Sequence, residues 1–191
     1  MKALLKKLLR CLLGEYSAYY VYASPGAAGV PVRPGTNSPF SVRPVDASAI
    51  TGSQDSLIRE QAGYGGPGSH AYACFEKDRI VGICFYWFGD RYRTRKYWPL
   101  VEGEAKLVQI VSIPEMRGRG VATRLIASSS MDMMQKGFGR AYARIWHSNV
   151  PSLRAFERAG WTRIALVIEV NPLRRKLPMR VRLNSKPVAR Q

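Results

Sequence analysis

The sequence predicts one α/β (α+β) domain, and three observations carry the prediction. From Phe40 onward, strand patterns alternate with helix patterns. Two apolar runs, Ala71 to Glu76 and Ile80 to Phe88, flank the short turn Lys77-Asp78-Arg79 and read as a β-hairpin. A third apolar run, Ala105 to Ile113, passes through a glycine-rich turn into a long periodic helix. With 191 residues the chain can bury one sizeable core and is short for two.

The first segment, residues 1–22, reads as an amphipathic basic N-terminal helix. Its opening is MKALLKKLLRCLL. At about 100° per residue, Leu4, Leu5, Leu8, Leu9, Leu12 and Leu13 share one half of the helix. Lys2, Lys6, Lys7 and Arg10 fall mostly on the other half, and Gly14 is a stop signal. One reading is an interfacial helix on an anionic membrane, each basic residue contributing about 1 kcal/mol near the surface. The other is that the leucines pack on the protein's own domain or on a second copy, as in a homodimer. Tyr16, Tyr19, Tyr20 and Tyr22 suit a headgroup belt or a packed edge. Residues 23–39, rich in Gly, Pro and Ser, read as a linker.

Residues 40–171 carry the alternating pattern. Phe40 to Val45 is a short strand, which Pro44 places at an edge or an end. Asp46 is a helix N-cap, followed by sparse apolar positions at Ile50, Leu57 and Ile58. Gly63 to Ser69 shares only glycine content with a phosphate loop, because no Gly-Lys-Ser/Thr follows. Cys74 and Cys84 fall inside the hairpin as small apolar groups. Asp90 to Pro99 is basic and aromatic, and fits a substrate-facing or nucleic-acid-facing loop or a solvated hairpin extension. Pro114 ends the central strand. Val121, Leu125, Ile126 and Met133 give the following helix a buried face. Arg140 to Trp146 is a strand. Asn149 caps the next helix, Pro151 sits in its first turn, and Gly160 stops it. Trp161 to Val170 is a further strand. Residues 172–191 form a basic tail in which Met179 to Leu183 fits a last edge strand.

Lys and Arg number 30 against 13 Asp and Glu, a net charge of +17. This argues against a cationic partner and for an anionic one, such as a phosphate-bearing cofactor, acidic lipid or nucleic acid. Three cysteines with no CxxC pair, and two histidines, give no zinc pattern, so no metal is expected. Sparse cysteines suit a reducing compartment, which points to the cytoplasm or a peripheral place on the inner membrane face. No apolar run is long enough for a transmembrane helix, and Lys6, Lys7 and Arg10 interrupt the core that a signal peptide needs.

The sharpest chemical signal is the strand–turn–helix unit Pro114-Glu115-Met116-Arg117-Gly118-Arg119-Gly120-Val121-Ala122. Its glycines let the backbone turn with N–H groups exposed, and the new helix adds its positive dipole end. Arg117 and Arg119 add charge, and together these make a nest for a diphosphate. A disordered RNA-binding RGRG segment does not fit, because an apolar strand precedes it and a periodic helix follows. A Rossmann fingerprint does not fit either, because GxGxxG with a downstream ribose-binding acid is absent.

These residues resemble the Arg/Gln-x-x-Gly-x-Gly/Ala motif of the GNAT superfamily of acyl-CoA-dependent N-acyltransferases, here Arg117, Gly120 and Ala122 after a Pro-Glu. A second stretch, Asn149 to Trp161 (NVPSLRAFERAGW), is similar to the family's Asn…Tyr/Phe-Glu-Lys/Arg-x-Gly-Phe/Trp helix. The resemblance spans about residues 40–171. It implies a mixed sheet of six or seven strands flanked by helices, with the fourth and fifth strands, Ala105–Ile113 and Arg140–Trp146, splayed to admit pantetheine. The backbone of Ile110, Val111, Ser112 and Ile113 would pair with the pantetheine arm. The N–H groups of Arg117, Gly118, Arg119, Gly120, Val121, Ala122 and Thr123 would hold the diphosphate. Asn149 and Phe156 would reach the same cofactor from the next helix.

The implied reaction is direct acetyl transfer from acetyl-CoA to a primary amine, without an acyl-enzyme. It needs a neutral amine and an acid for the departing thiolate. The sequence departs from the family where Ser112 replaces a frequent Val, and where Phe156 replaces a tyrosine that often protonates the thiolate. Phe156 cannot donate a proton. Lys106 and Val108 stand where members often carry a Glu or His base. His147 is then the leading acid/base candidate, with Glu104 as an alternative base and Ser152 and Tyr142 as further donors. The acceptor implied by the charge and the leucine-rich segment is an amino sugar or another small anionic amine at the cytoplasmic membrane face. Two other readings are a non-catalytic CoA-binding scaffold and, less favoured, a basic nucleic-acid-associated protein.

Overall fold

Eight strands form one sheet in the computed structural model, which describes residues 15–26, 38–93, 98–171 and 179–184. In chain order they are β1 (Glu15–Ala23), β2 (Phe40–Val45), β3 (Ser69–Glu76), β4 (Arg79–Trp87), β5 (Glu104–Ser112), β6 (Arg140–Trp146), β7 (Thr162–Asn171) and β8 (Met179–Asn184). The spatial order is β2-β3-β4-β5-β6-β1-β7-β8. Only β5 and β6 pair in parallel; the other neighbours are antiparallel. The helices are α1 (Ala47–Thr51), α2 (Ser56–Arg59), α3 (Gly89–Arg93), α4 (Val121–Gln135) and α5 (Val150–Arg158). The expectation of a mixed sheet flanked by helices holds, with eight strands rather than six or seven.

The extra strand is β1, and it corrects the reading of the N-terminal segment. Residues 15–22 are not helical: they lie between β6 and β7 and pair with both. Tyr and Val favour strands, and this strand is buried on both faces, with Tyr19, Val21 and Tyr22 fully enclosed. Tyr19 Oη donates to Glu169 at 2.9 Å, and Tyr22 Oη donates to Glu157 at 2.7 Å. Burial, reinforced by these carboxylates, pushes both phenols up to about 12. Ser24 still continues the pairing with β6, since its N–H reaches Ala141 O at 2.8 Å. The sheet therefore extends beyond residues 40–171 at both ends. The leucine-rich helix proposed for residues 1–13 lies outside the described residues, as does most of the 23–39 linker.

The helices cover the two faces of the sheet. On one face α4 lays Leu125, Ile126 and Met133 on the central strands. Its Ser129 hydrogen-bonds Tyr86 Oη at 2.9 Å, and Ser130 accepts from Trp161 Nε1 at 3.0 Å. On the other face Tyr64 stacks on Phe85 and Trp87. The single sparse helix expected after Asp46 is two short ones. Gly52 ends α1, and Asp55 starts α2 by accepting from Leu57 N at 2.9 Å. The basic-aromatic stretch after β4 is partly core. Tyr92 and Trp98 are each 5% exposed, and Tyr92 Oη donates to Trp98 O.

One glycine sets how closely α4 approaches the sheet. A Cβ on Gly82 of β4 would lie 2.8 Å from Val121 Cγ1 and 3.1 Å from Val111 O. Gly82→Ala is expected to push Val121, the first residue of α4, off the sheet and cost about 1–3 kcal/mol as overpacking does. Denaturant unfolding of the variant against the parent chain checks this, and an unchanged midpoint would contradict it.

Candidate functional site

The site begins where the parallel pair comes apart. The β5–β6 ladder runs from Glu104↔Arg140 to Leu107↔Ala143 and stops there. Beyond it, β5 keeps its β4 partner but presents its β6-facing edge to a cleft of about 620 Å³. Leu107 to Ile110 line one wall and Ala143 to Trp146 the other. The expected splay is present between the expected strands. A second cleft, of about 690 Å³, continues from it and shares Ile110, Asn149 and Ser152.

That second cleft ends on the glycine turn. Gly118 (φ 80°) and Gly120 (φ 84°) take left-handed conformations that glycine adopts without strain. Gly120 is the N-cap of α4. The N–H groups of Val121, Ala122 and Thr123 therefore open the helix with no acceptor one turn back, whereas Arg124 N already reaches Gly120 O at 3.0 Å. A Cβ built on either Gly118 or Gly120 would meet nothing within 4 Å, so both face open space. Arg117, Arg154 and Arg158 line the cleft, and its described lining holds no Asp or Glu. A concave surface with free helix N–H groups and three guanidiniums suits a diphosphate.

The remaining sequence-selected residues divide. Val111 and Ser112 line the second cleft with Ile110, while Ile113 is fully buried and donates to Val81 O at 3.1 Å. Arg119 turns away: it pairs with Glu76 at 3.0 Å and lies over the Phe40 ring, outside the cleft lining. Asn149 caps α5 by accepting from Ser152 N at 3.3 Å. Phe156 is buried in the cleft wall, edge-on to Trp161 at 4.9 Å.

Of the four proposed acid/base side chains, only Ser152 lines the clefts. His147 is exposed beyond β6, with Nδ1 3.0 Å from Ala18 O. Glu104 sits at the closed end of the β5–β6 pair, lining a separate cavity with Tyr92, Trp98 and Phe138. Its carboxylate accepts from Val101 N at 3.0 Å and from Tyr142 Oη at 2.7 Å, so it stands as a structural anchor there. That second bond also commits Tyr142. Lys106 is fully buried, with Nζ 5.6 to 6.0 Å from the ring centroids of Tyr92, Tyr142 and Trp98. Burial pushes its pKa well below the usual lysine value, and the Arg144 charge adds to this.

Sequence reasoning missed three cleft residues. Gln109 follows a step in the β4–β5 register that passes over Val108, and it donates to Gln61 Oε1 at 2.8 Å. Gln61 in turn donates to Leu57 O, tying the helix layer to β5 beside the cleft. Arg144 and Arg180 line the splay from β6 and β8. The bulge and the β8 pairing are tertiary facts with no local signal. Among the described residues, no group of His, Cys, Asp and Glu could hold a metal ion, and no helix is long and apolar enough to cross a membrane.

Comparison with known proteins bears on the family and the fold. The family model described as the acetyltransferase (GNAT) family matches residues 42–161. A GNAT-family acetyltransferase structure from Novosphingobium aromaticivorans aligns over 82% of this chain and 64% of its own, at 16% identity and TM-score 0.53. A GCN5-related N-acetyltransferase from Sphaerobacter thermophilus aligns over 98% and 57%, at 13% identity and TM-score 0.57. A GNAT-family acetyltransferase from Colwellia psychrerythraea aligns over 87% and 60%, at 12% identity and TM-score 0.56. At these identities the likeness is one of fold, and the chain spans less than two thirds of each structure's length. No curated protein sequence matches the chain.

Proposed function

The chain belongs to the GNAT acetyltransferase family, and on that premise we propose that it moves an acetyl group from acetyl-CoA directly to a primary amine. The observation that carries this reading is the continuity of the two clefts, from the open edge of β5 to the glycine turn of α4. Acetyl-CoA supplies the activated acyl group as a thioester. The open edge of Ile110 to Ser112 holds the pantetheine amides. The N–H groups of Val121 to Thr123, with Arg117, Arg154 and Arg158, hold the diphosphate and its neighbouring phosphate. The amine nitrogen attacks the thioester carbon, a C–N bond forms and the C–S bond breaks. Ser152 lines both clefts, and in this reading its hydroxyl relays the proton that the amine nitrogen loses to the leaving sulfur. Phe156 gives that wall an apolar surface in place of a donor. Orientation alone can supply roughly 7–11 kcal/mol of the barrier.

The finer reading, an amino sugar or other small anionic amine at an anionic membrane face, is supported by the Leu/Lys sequence of residues 1–14 and by the net charge of +17. Calorimetry with acetyl-CoA and a free-thiol assay over an amine panel test the proposal. Saturable binding with amine-dependent CoA release supports it. Binding with no turnover on any amine favours the non-catalytic scaffold, and no binding removes both.

The protein's own hairpin thiols should not disturb that assay. Burial pushes Cys74 and Cys84 up to about 12. A thiol reagent at pH 8 is expected to leave both unmodified in the native chain and to label both after denaturation. Mass spectrometry of the labelled peptides reads this directly, and rapid native labelling of either would contradict it.

A further inference from the structure

The outermost strands leave one face of the sheet open. Met179, Val181 and Leu183 of β8 are 57%, 50% and 52% exposed. They stand across from Val170, Ile168 and Leu166 of β7, which are half-buried. Residues directly opposite in an antiparallel pair share a face, so six apolar side chains form one continuous patch. Ala18 of β1 extends it beside Ile168. Farther in, the same face lies under α4 and α5. Tyr20 packs against the core that those helices cover, and Tyr22 meets Phe156 of α5 at 6.0 Å between ring centroids. Among the described residues the helical layer reaches β1, and the apolar surface beyond it marks a contact site.

The alternate residues of β8 turn the other way. Arg180 pairs with Glu169 at 2.6 Å, and the guanidinium carbon of Arg182 lies 3.7 Å from the Trp98 ring centroid. The strand directs its cations toward the Trp98 side and its apolar chains toward the open side, the reverse of an edge strand that faces water. The sequence supplies a matching surface within reach. The chain enters β1 at Glu15, opposite Asn171 and one step beyond the Val170↔Met179 pair. Residues 1–13 lead to that point, with Leu4, Leu5, Leu8, Leu9, Leu12 and Leu13 on one half of the predicted helix. Such a helix would be about 20 Å long and about 10 Å wide. The three cross-strand pairs of the patch span about 14 Å along strands that lie about 5 Å apart. A lone helix of that length is marginal in water, so its leucine half needs a surface to be stable.

We propose that residues 1–13 form a helix that docks its leucine half on the β7–β8 face and so covers the end of the sheet in cis. Gly14 makes the turn from that helix into β1. The helix starts over Leu166 and Leu183 and ends over Val170 and Met179, beside Glu15. Lys6, Lys7 and Arg10 then point outward. The anionic surface proposed above is therefore met by charge, not by inserted leucines. The cover does not depend on whether the chain transfers acetyl groups.

Hydrogen exchange of the full chain, read by mass spectrometry over a dilution series with light scattering, tests the dock. In the parent, amides of residues 1–13 are expected to exchange roughly tenfold or more slowly than those of an unstructured chain, even as a dilute monomer. Val181→Asp puts a charge in the patch and should abolish that protection. Leu8→Asp should do the same and should also speed exchange of the β8 amides. It lies outside the sheet, so that effect cannot come from damage to the strand. Val150→Asp, at another exposed valine in the first turn of α5, should change neither. Unprotected amides throughout residues 1–13 of the parent would overturn the dock, and so would protection that survives Val181→Asp. Protection that appears only as dimers form would assign the patch to a second copy. Protection that appears only on phosphatidylglycerol vesicles would assign the leucines to a membrane. Either result overturns the cis cover.

Discussion

Gly120→Val is expected to lower acetyl-CoA affinity by roughly a hundredfold or more while leaving the protein folded, because it strikes the helix N–H groups proposed to hold the diphosphate. Two effects add. Gly120 sits at φ 84°, where a β-branched residue costs about 1–3 kcal/mol and relaxes by twisting the turn. Twisting that turn moves the first N–H groups of α4, and each charge-assisted bond lost is worth about 1.5–3 kcal/mol. The added side chain also points into open space, where nothing lies within 4 Å, so it occupies ligand volume rather than protein volume. Gly137 separates strain from site. It has φ 91° with nothing within 4 Å of its Cβ position, and it lies just beyond the other end of α4. Gly137→Val should lose comparable stability and keep full affinity. Calorimetry paired with thermal unfolding measures both, and undiminished binding by Gly120→Val would remove the glycine turn from the site.

The features legible in the sequence are those whose physics is local. The glycine turn announces itself because Pro114 stops a strand, two glycines free the backbone and a helical period begins at Val121. Asp46 and Asn149 declare helix starts because a cap is a bond to the backbone two or three residues on. What sequence could not show is which face or partner a side chain meets. Arg119 has the same local credentials as Arg117, yet Glu76, from a strand far along the chain, draws it out of the cleft. Glu104 shares a strand face with the expected base position, but Tyr142 and Val101 commit it at the wrong end of the pair. The register step at Val108 then moves Gln109 beside Gln61, a change strict alternation does not foresee. Arg180 belongs to a strand that the sequence placed at an edge, and only the packing of β1 and β7 shows that its side chain reaches the cleft.

The hardest element to read is also the one whose removal should matter most. A chain begun at Phe40, where the alternating pattern starts, is expected not to fold. It would lack β1, which pairs with β6 from Tyr19↔Trp146 to Ala23↔Tyr142 and with β7 along its whole length. Tyr19, Val21 and Tyr22 are each 0% exposed, and burying one such side chain contributes about 1.5–3 kcal/mol. Their sum alone rivals the roughly 5–15 kcal/mol that keeps a domain folded. The ladder bonds come on top, and Glu157 and Glu169 lose their tyrosine donors. The anchoring of β7, and through it of β8 with Arg180, goes as well, because among the described residues β1 is the strand that joins them to β6. Near-ultraviolet circular dichroism and a thermal scan decide the matter. Loss of aromatic signal and of a cooperative transition is the expected outcome. A sharp transition close to that of the full chain would mean that residues 40–191 form a self-sufficient unit and that β1 is an accessory strand.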